Sequence, residues 1–231
     1  MIRAIIFDLD GTLVDTTSHY LATYLAILRK DLGLQPDEDM VRRKFGMRAT
    51  EIMISVLEEM GIDRSKIDID ALVNRIRDEF IRRVKDVTIL PGVLKLLESL
   101  KGRYRLGLAT SSQPYAACNI LKQFGLEQYF DTVVTGNDVK MAKPNPEMFL
   151  LVAKKLGVRP EECLVVEDAV YGVEAAHAAG MKVVAVATGA CNKEELKAAK
   201  PDYLLNTLEE FGEDILNQCS KVNGASQNNA S

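Results

Sequence analysis

The sequence predicts an α/β protein: a three-layer parallel-sheet core into which an all-helical segment is inserted after the first strand. Two observations carry this. Short apolar runs alternate with helical periods along most of the chain, whereas one long stretch, 16–86, has helical periods and no strand signal. The composition fits: 47% of the 231 residues are hydrophobic and 27% charged, enough to bury a core in each of two units.

The elements follow in order. Arg3 to Phe7 is short, apolar and rich in Ile, and it stops at an acidic cluster followed by Gly11; it reads as a buried strand ending in a turn. From Thr16 the texture turns helical. Tyr20, Tyr24, Ile27 and Leu28 share one face, Ile52, Val56, Leu57 and Met60 a second, and Leu72, Ile76, Phe80 and Val84 a third. Thr17 or Ser18, and later Thr50, are the expected N-caps, with Gly33 and Gly61 as stops. After Leu90-Pro91-Gly92 apolar runs return at Arg105–Ala109, Thr132–Val134, Leu164–Val166, Val183–Ala187 and, more weakly, Tyr203–Leu205. Helices read between them at Pro114–Phe124, Pro146–Leu156 and Val170–Ala179. Such alternation with buried strands means βα units, a Rossmann-like parallel sheet with helices on both faces. The expected units are a core of 1–15 and 87–219 and an insert of 16–86. The tail 220–231, mostly Ser, Asn, Gln and Ala, has little to bury and is expected to be disordered.

Composition also excludes function classes. The net charge of −4 offers no basic excess to hold a nucleic acid by counterion release. No apolar stretch reaches the roughly 18 residues of a membrane span, and Asp8 and Asp10 interrupt the N-terminal run before it could serve as a signal sequence. The expectation is a cytoplasmic protein with no membrane or nucleic-acid partner, monomeric by default because no heptad pattern appears. The four cysteines are far apart and form no CxxC pair, so neither a zinc site nor a disulfide framework is expected.

Chemistry collects directly after the strands. The first strand runs into Asp8-Leu9-Asp10-Gly11-Thr12, the second into Thr110-Ser111-Ser112, and Leu164–Val166 into Glu167-Asp168. Lys143 lies in the loop that opens the helix after Thr132–Val134. In an open parallel sheet the carboxyl ends of the strands share one edge, and ligands bind in the crevice there. Acids gathered at one spot repel unless a cation sits among them, and ligands that are all hard oxygens favour Mg²⁺ over zinc. A calcium-binding EF-hand is ruled out because Gly11 comes at the fourth position from Asp8, not the sixth. A divalent cation beside a lysine and hydroxyls forms a phosphate site. An ionised aspartate can attack phosphorus without a base, and a second acid two residues on could protonate the leaving alcohol and deprotonate the attacking water.

Asp8-Leu9-Asp10-Gly11-Thr12, Leu108-Ala109-Thr110-Ser111, Lys143-Pro144 and Glu167-Asp168 stand in the order of the four motifs of the haloacid dehalogenase-like hydrolases. The chain resembles the β-phosphoglucomutase and phosphoglycolate phosphatase branch, which carries a helical cap after the first motif, and the resemblance runs from Met1 to about Leu216. It implies Asp8 as nucleophile with an oxygen on Mg²⁺, and Asp10 as general acid and base with its main-chain carbonyl on the metal. It implies Thr110 and Lys143 as holding the phosphoryl group and steadying Asp8. Asp168, with Glu167 directly or through water, completes the metal shell. Gly11 and Thr12 are placed at the substrate.

Further candidates lie around this set. Ser111 and Ser112 could contact phosphate where the next helix begins, although Ser112 also suits a simple cap. His19 sits in the first turn of the cap, and mutases of the family use a cap-helix histidine in this vicinity. Arg42, Arg43, Lys44 and Arg48 surround Phe45-Gly46-Met47; a solvated basic face is the plain reading, and Arg48 is the single candidate for substrate contact. His177 is expected at the surface. Bases and acids balance within 16–86, so the net negative charge belongs to the core.

The expected function is therefore hydrolysis of a small phosphorylated metabolite, a sugar phosphate or similar, by a Mg²⁺-dependent phosphatase through phospho-Asp8. The cap would close over the substrate about hinges at Thr12–Thr16 and Lys85–Pro91. A sugar-phosphate mutase would use the same residues. A dehalogenase would leave Asp10 and Glu167-Asp168 without purpose, and a phosphoacceptor receiver domain would have no helical insert.

Overall fold

A computed structural model describes residues 1–221 of the chain. Six strands form one parallel sheet: β1 (Ala4–Phe7), β4 (Arg105–Ala109), β5 (Thr132–Val134), β6 (Cys163–Glu167), β7 (Lys182–Val186) and β8 (Tyr203–Leu205). Their order is β5-β4-β1-β6-β7-β8. The chain steps from β1 outward through β4 to β5, then returns to the other side of β1 and steps outward again. The reversal beside β1 opens a crevice at the carboxyl end of that strand.

Strand side chains alternate between two apolar layers, as the pleat requires. Ile5, Phe7, Leu106, Leu108, Leu164 and Val166 face one layer, shared with α5 (Val93–Leu100), α6 (Pro114–Gln123) and α10 (Glu213–Lys221). Ala4, Ile6, Ala109, Cys163 and Val165 face the other, shared with α7 (Glu147–Leu156), α8 (Val170–Ala178) and α9 (Lys193–Ala198). Burial on both faces explains why these strands read as continuous apolar runs.

Between β1 and β4 lie α1 (Thr17–Leu32), α2 (Glu38–Arg42), α3 (Ala49–Glu59) and α4 (Ile69–Arg83). They enclose a separate core of Tyr24, Leu28, Val41, Met53, Val56, Leu57, Val73 and Ile76. Two short strands flank them, β2 (Val14–Asp15) and β3 (Thr88–Ile89). These pair antiparallel, Val14 with Ile89 and Asp15 with Thr88.

The helix starts differ from the sequence expectation. Thr16, not Thr17 or Ser18, stands at the N-cap of α1, and its hydroxyl bonds Asp10 rather than its own helix. Arg48, not Thr50, stands at the N-cap of α3, because the Glu51 carboxylate accepts from the Arg48 N–H and does the capping from inside the helix. Ser220 and Lys221, expected in the disordered tail, belong to α10; the rest of that tail lies outside the described residues. Among the described residues no helix is long and apolar enough to cross a membrane.

Candidate active site

Asp8 follows β1 directly, and its N–H donates to the Val166 carbonyl (2.9 Å), which fixes it to the neighbouring strand. The chain then turns tightly. Gly11 has φ of 85°, a left-handed conformation that favours glycine, and its N–H donates to the Val14 carbonyl (2.8 Å). A Cβ on Gly11 would fall 2.4 Å from Asp168 Oδ2, so the turn and the acid after β6 can be this close only without a side chain.

Four strand ends deliver their groups to this point. Lys143 is buried and its Nζ donates to Asp8 Oδ1 (2.6 Å), Glu167 Oε1 (2.6 Å) and the Ala109 carbonyl (3.2 Å). The second oxygen of Glu167 accepts from the Asp168 and Ala169 N–H groups, both at 2.8 Å. Both Glu167 oxygens are thus engaged within the protein, and the residue holds Lys143 against Asp8. Asp168 accepts from the Thr12 hydroxyl (3.2 Å) and the Ala190 N–H (3.0 Å). Asp10 accepts three hydroxyls: Thr16 on Oδ1 (2.9 Å), Thr110 (3.1 Å) and Ser112 (2.7 Å) on Oδ2.

The electrostatics follow from burial. Asp8 is held well above the usual carboxylate range by loss of solvent; Lys143 opposes this, while Glu167, Asp168 and Asp10 add to it. Asp168 is pushed up to about 8, first by burial and then by Glu167. Asp10 is raised by burial against the pull of its three hydroxyl donors. Burial pushes the Lys143 ammonium down, but Asp8 and Glu167 outweigh it and hold the group above the ordinary lysine value. Oxygens of Asp8, Glu167 and Asp168 lie within 4.8 Å of one another. Buried acids that outnumber their single lysine, offering only hard oxygens, suit a divalent cation such as Mg²⁺.

Asp8, Asp10 and Asp168 line a cavity of about 470 Å³ that runs between the sheet edge and the helical insert. Ser111, Ser112 and Arg48 also line it. The Ser111 hydroxyl donates across the cleft to the Gly46 carbonyl (2.7 Å). Arg48 bonds Glu51 (2.8 Å) and, from the opposite wall, the Lys140 carbonyl (2.9 Å). Of its basic neighbours, Arg42 reaches the Ala190 carbonyl and Glu195, Lys44 pairs with Glu59, and Arg43 is exposed.

Some expected substrate contacts are elsewhere. Thr12 is fully buried and orients Asp168 instead of lining the cavity, and Gly11 serves the turn, its carbonyl accepting from the Thr188 hydroxyl (2.7 Å). Thr110, expected to steady Asp8, bonds Asp10. His19 is not among the cavity-lining residues: α1 turns Tyr20 and Tyr24, one turn apart, toward the cleft, and His19 lies about 100° round the helix from Tyr20. His177 is half-exposed beside Asp202 (3.8 Å). Sequence reasoning missed Thr16, Tyr20 and the Ala190 N–H. A threonine ending the insert's first connection was a usable signal for Thr16; a main-chain donor leaves none.

The profile of a family described as haloacid dehalogenase-like hydrolase matches residues 5–186. A phosphorylated carbohydrates phosphatase of Thermotoga maritima is 36% identical over 90% of this chain and 99% of its own length. A fructose-1-phosphate phosphatase of Escherichia coli is 35% identical over 79% of this chain and 95% of its own. Among solved structures, β-phosphoglucomutase of Clostridium difficile superposes with a TM-score of 0.84 at 28% identity, covering 95% of this chain and 97% of that one.

Proposed function

The chain belongs to the haloacid dehalogenase-like hydrolases, and from that premise we propose that it is a Mg²⁺-dependent phosphatase of small phosphate monoesters working through phospho-Asp8. The observation that carries the reading is the Asp8–Lys143–Glu167 chain, 2.6 Å at each link, set beside Asp10 in its cage of hydroxyls at the floor of one cavity. The likeness to phosphatases that act on phosphorylated carbohydrates supports the same class.

Lys143 fixes one oxygen of Asp8 and places positive charge beside the incoming phosphoryl group. An Asp8 oxygen attacks phosphorus; the new O–P bond forms as the ester O–P bond breaks. Asp10, raised by burial so that it carries its proton more readily near neutrality, gives that proton to the leaving alcohol. It then takes a proton from the water that attacks phospho-Asp8, which releases inorganic phosphate and restores both acids. Asp8, Asp168 and the Asp10 carbonyl would hold Mg²⁺, with Glu167, already engaged, acting through Lys143 or a water. When bound, the ion supplies the charge that lets an anionic phosphate approach these acids. The cap walls exclude bulk water.

The mutase alternative would use the same core residues, with a bisphosphate rather than water receiving the phosphoryl group; the cap-helix His19 expected for it does not line the cavity. Incubation with a hexose 1-phosphate separates the two, free phosphate supporting the hydrolase and an isomeric sugar phosphate the mutase. The scheme itself is tested by Asp8→Asn. Hydrolysis of p-nitrophenyl phosphate with Mg²⁺ should vanish while the fold is kept, and near-normal turnover would overturn it.

A further inference from the structure

The cavity above Asp8 does not end at the interface between cap and core. Tyr24, Ile52, Val73, Ile76 and Phe80 line it, yet each belongs to the buried apolar residues and is at most 6% exposed. They come from α1, α3 and α4, so the cavity extends as a recess among these three of the cap's helices. Protein interiors are close-packed, with few voids larger than a water, and an apolar recess has no polar partners to order water within it. A space of about 470 Å³ that begins at a nucleophile and continues into an aliphatic and aromatic lining has the size and character of a ligand pocket.

The charged groups on that lining are already satisfied. Arg48 is tied to Glu51 (2.8 Å) and the Lys140 carbonyl (2.9 Å), and Arg77 pairs with Asp78 (3.2 Å). Phe45, whose ring lies 5.8 Å from that of Tyr24, adds a further aromatic wall. Of the residues deepest in the recess only Tyr24 carries a polar group, its hydroxyl, so a polyhydroxylated body pushed there would leave most of its hydroxyls without partners, each at a cost in affinity, whereas an apolar ring would replace void with contact.

We infer that the substrate is a phosphate monoester whose alcohol carries an apolar, ring-sized body, with the phosphate at Asp8 and the body in the recess between α1, α3 and α4. This rests on the phosphatase reading and narrows it. Sugar phosphates are then secondary substrates.

The test compares kcat/KM, with Mg²⁺ present, for 2-phenylethyl phosphate, ethyl phosphate and glucose 6-phosphate. All three are monoesters of primary alcohols, so the difference reports the body and not the chemical step. The expected result is 2-phenylethyl phosphate ahead of both others by about tenfold or more. The substitution Ile76→Phe, which fills the recess, should shrink the preference for 2-phenylethyl over ethyl phosphate to a few fold; where that variant does not fold, the unmodified protein's ratios decide. Turnover of ethyl phosphate with glucose 6-phosphate equal or preferred to 2-phenylethyl phosphate overturns this inference and leaves the phosphatase reading intact. Release of phosphate from none of them, nor from p-nitrophenyl phosphate, overturns the phosphatase reading and this inference with it.

Discussion

The Tyr20 hydroxyl on the cap meets the Ser112 hydroxyl on the core at 3.2 Å, and Ser112 in turn donates to Asp10 at 2.7 Å. The cap thereby touches the proposed general acid through one intermediary. Tyr20→Phe removes the first link and Ser112→Ala the second. In a double-mutant cycle on kcat/KM for p-nitrophenyl phosphate, the two losses should fall short of additive by about 1 kcal/mol, since either one breaks the same chain. Strict additivity would show that the contact does not bear on Asp10.

Lys143 is the one cation in direct contact with Asp8 and Glu167 among the described residues. Lys143→Ala leaves two buried acids facing each other, and the expected destabilisation is about 3–5 kcal/mol by denaturant titration. Turnover should fall about 10²–10³-fold. Lys143→Arg should rescue neither, because a planar, wider guanidinium has to enter a space with no solvent exposure. An active arginine variant would contradict the placement.

A Cβ built on Gly189 falls 1.6 Å from Asp168 Oδ2. Gly189→Ala must therefore push Asp168 Oδ2 off the Ala190 N–H and out of its place among the acids. The protein should still fold, and the rise in melting temperature on adding Mg²⁺ should shrink markedly relative to the unmodified chain. An unaltered Mg²⁺ response would place the ion elsewhere.

The loop after β5 is held by Asp138, whose carboxylate accepts the Thr135 N–H (2.8 Å) and hydroxyl (2.7 Å). These bonds hold its pKa below the ordinary 3.8, the N–H contributing most. A depressed value in the folded state means stability that is present above the ordinary value and lost as pH falls through the lowered one. Asp138→Asn should cost about 0.5 kcal/mol near neutrality, a small figure because the group is exposed. Urea titrations should show that gap closing below the usual carboxylate range. A gap independent of pH would assign the cost to geometry.

The core strands and the acids after them could be read directly, because a buried parallel strand is a continuous apolar run and a charged residue at its end has few places to go but the sheet edge. Lys143, well past the end of β5, was readable from its place in the loop that opens the next helix and from the order of the motifs. The two-residue strands β2 and β3 were not, being too short to show any period. The spacing of Tyr20 to Tyr24 is that of a buried face; that Tyr20 also reaches Ser112 is a matter of how cap and core are seated. The resemblance places Thr12 at the substrate. The turn at Gly11 carries it beneath the floor to Asp168 instead. The apolar recess left no local trace, because residues lining a void have the same pattern as residues filling one.

The pairing of Val14 with Ile89 and Asp15 with Thr88 brings the two ends of the insert side by side. Paired strands run about 5 Å apart, so any segment whose own termini meet at that spacing could be spliced between them. None of the six sheet strands comes from within 16–86, and Asp8, Asp10, Lys143 and Asp168 all lie outside it. On the reading proposed above, a different insert joined at these two strands would change the walls around the substrate's body and leave the proposed nucleophile, its lysine and the acids after β6 where they stand.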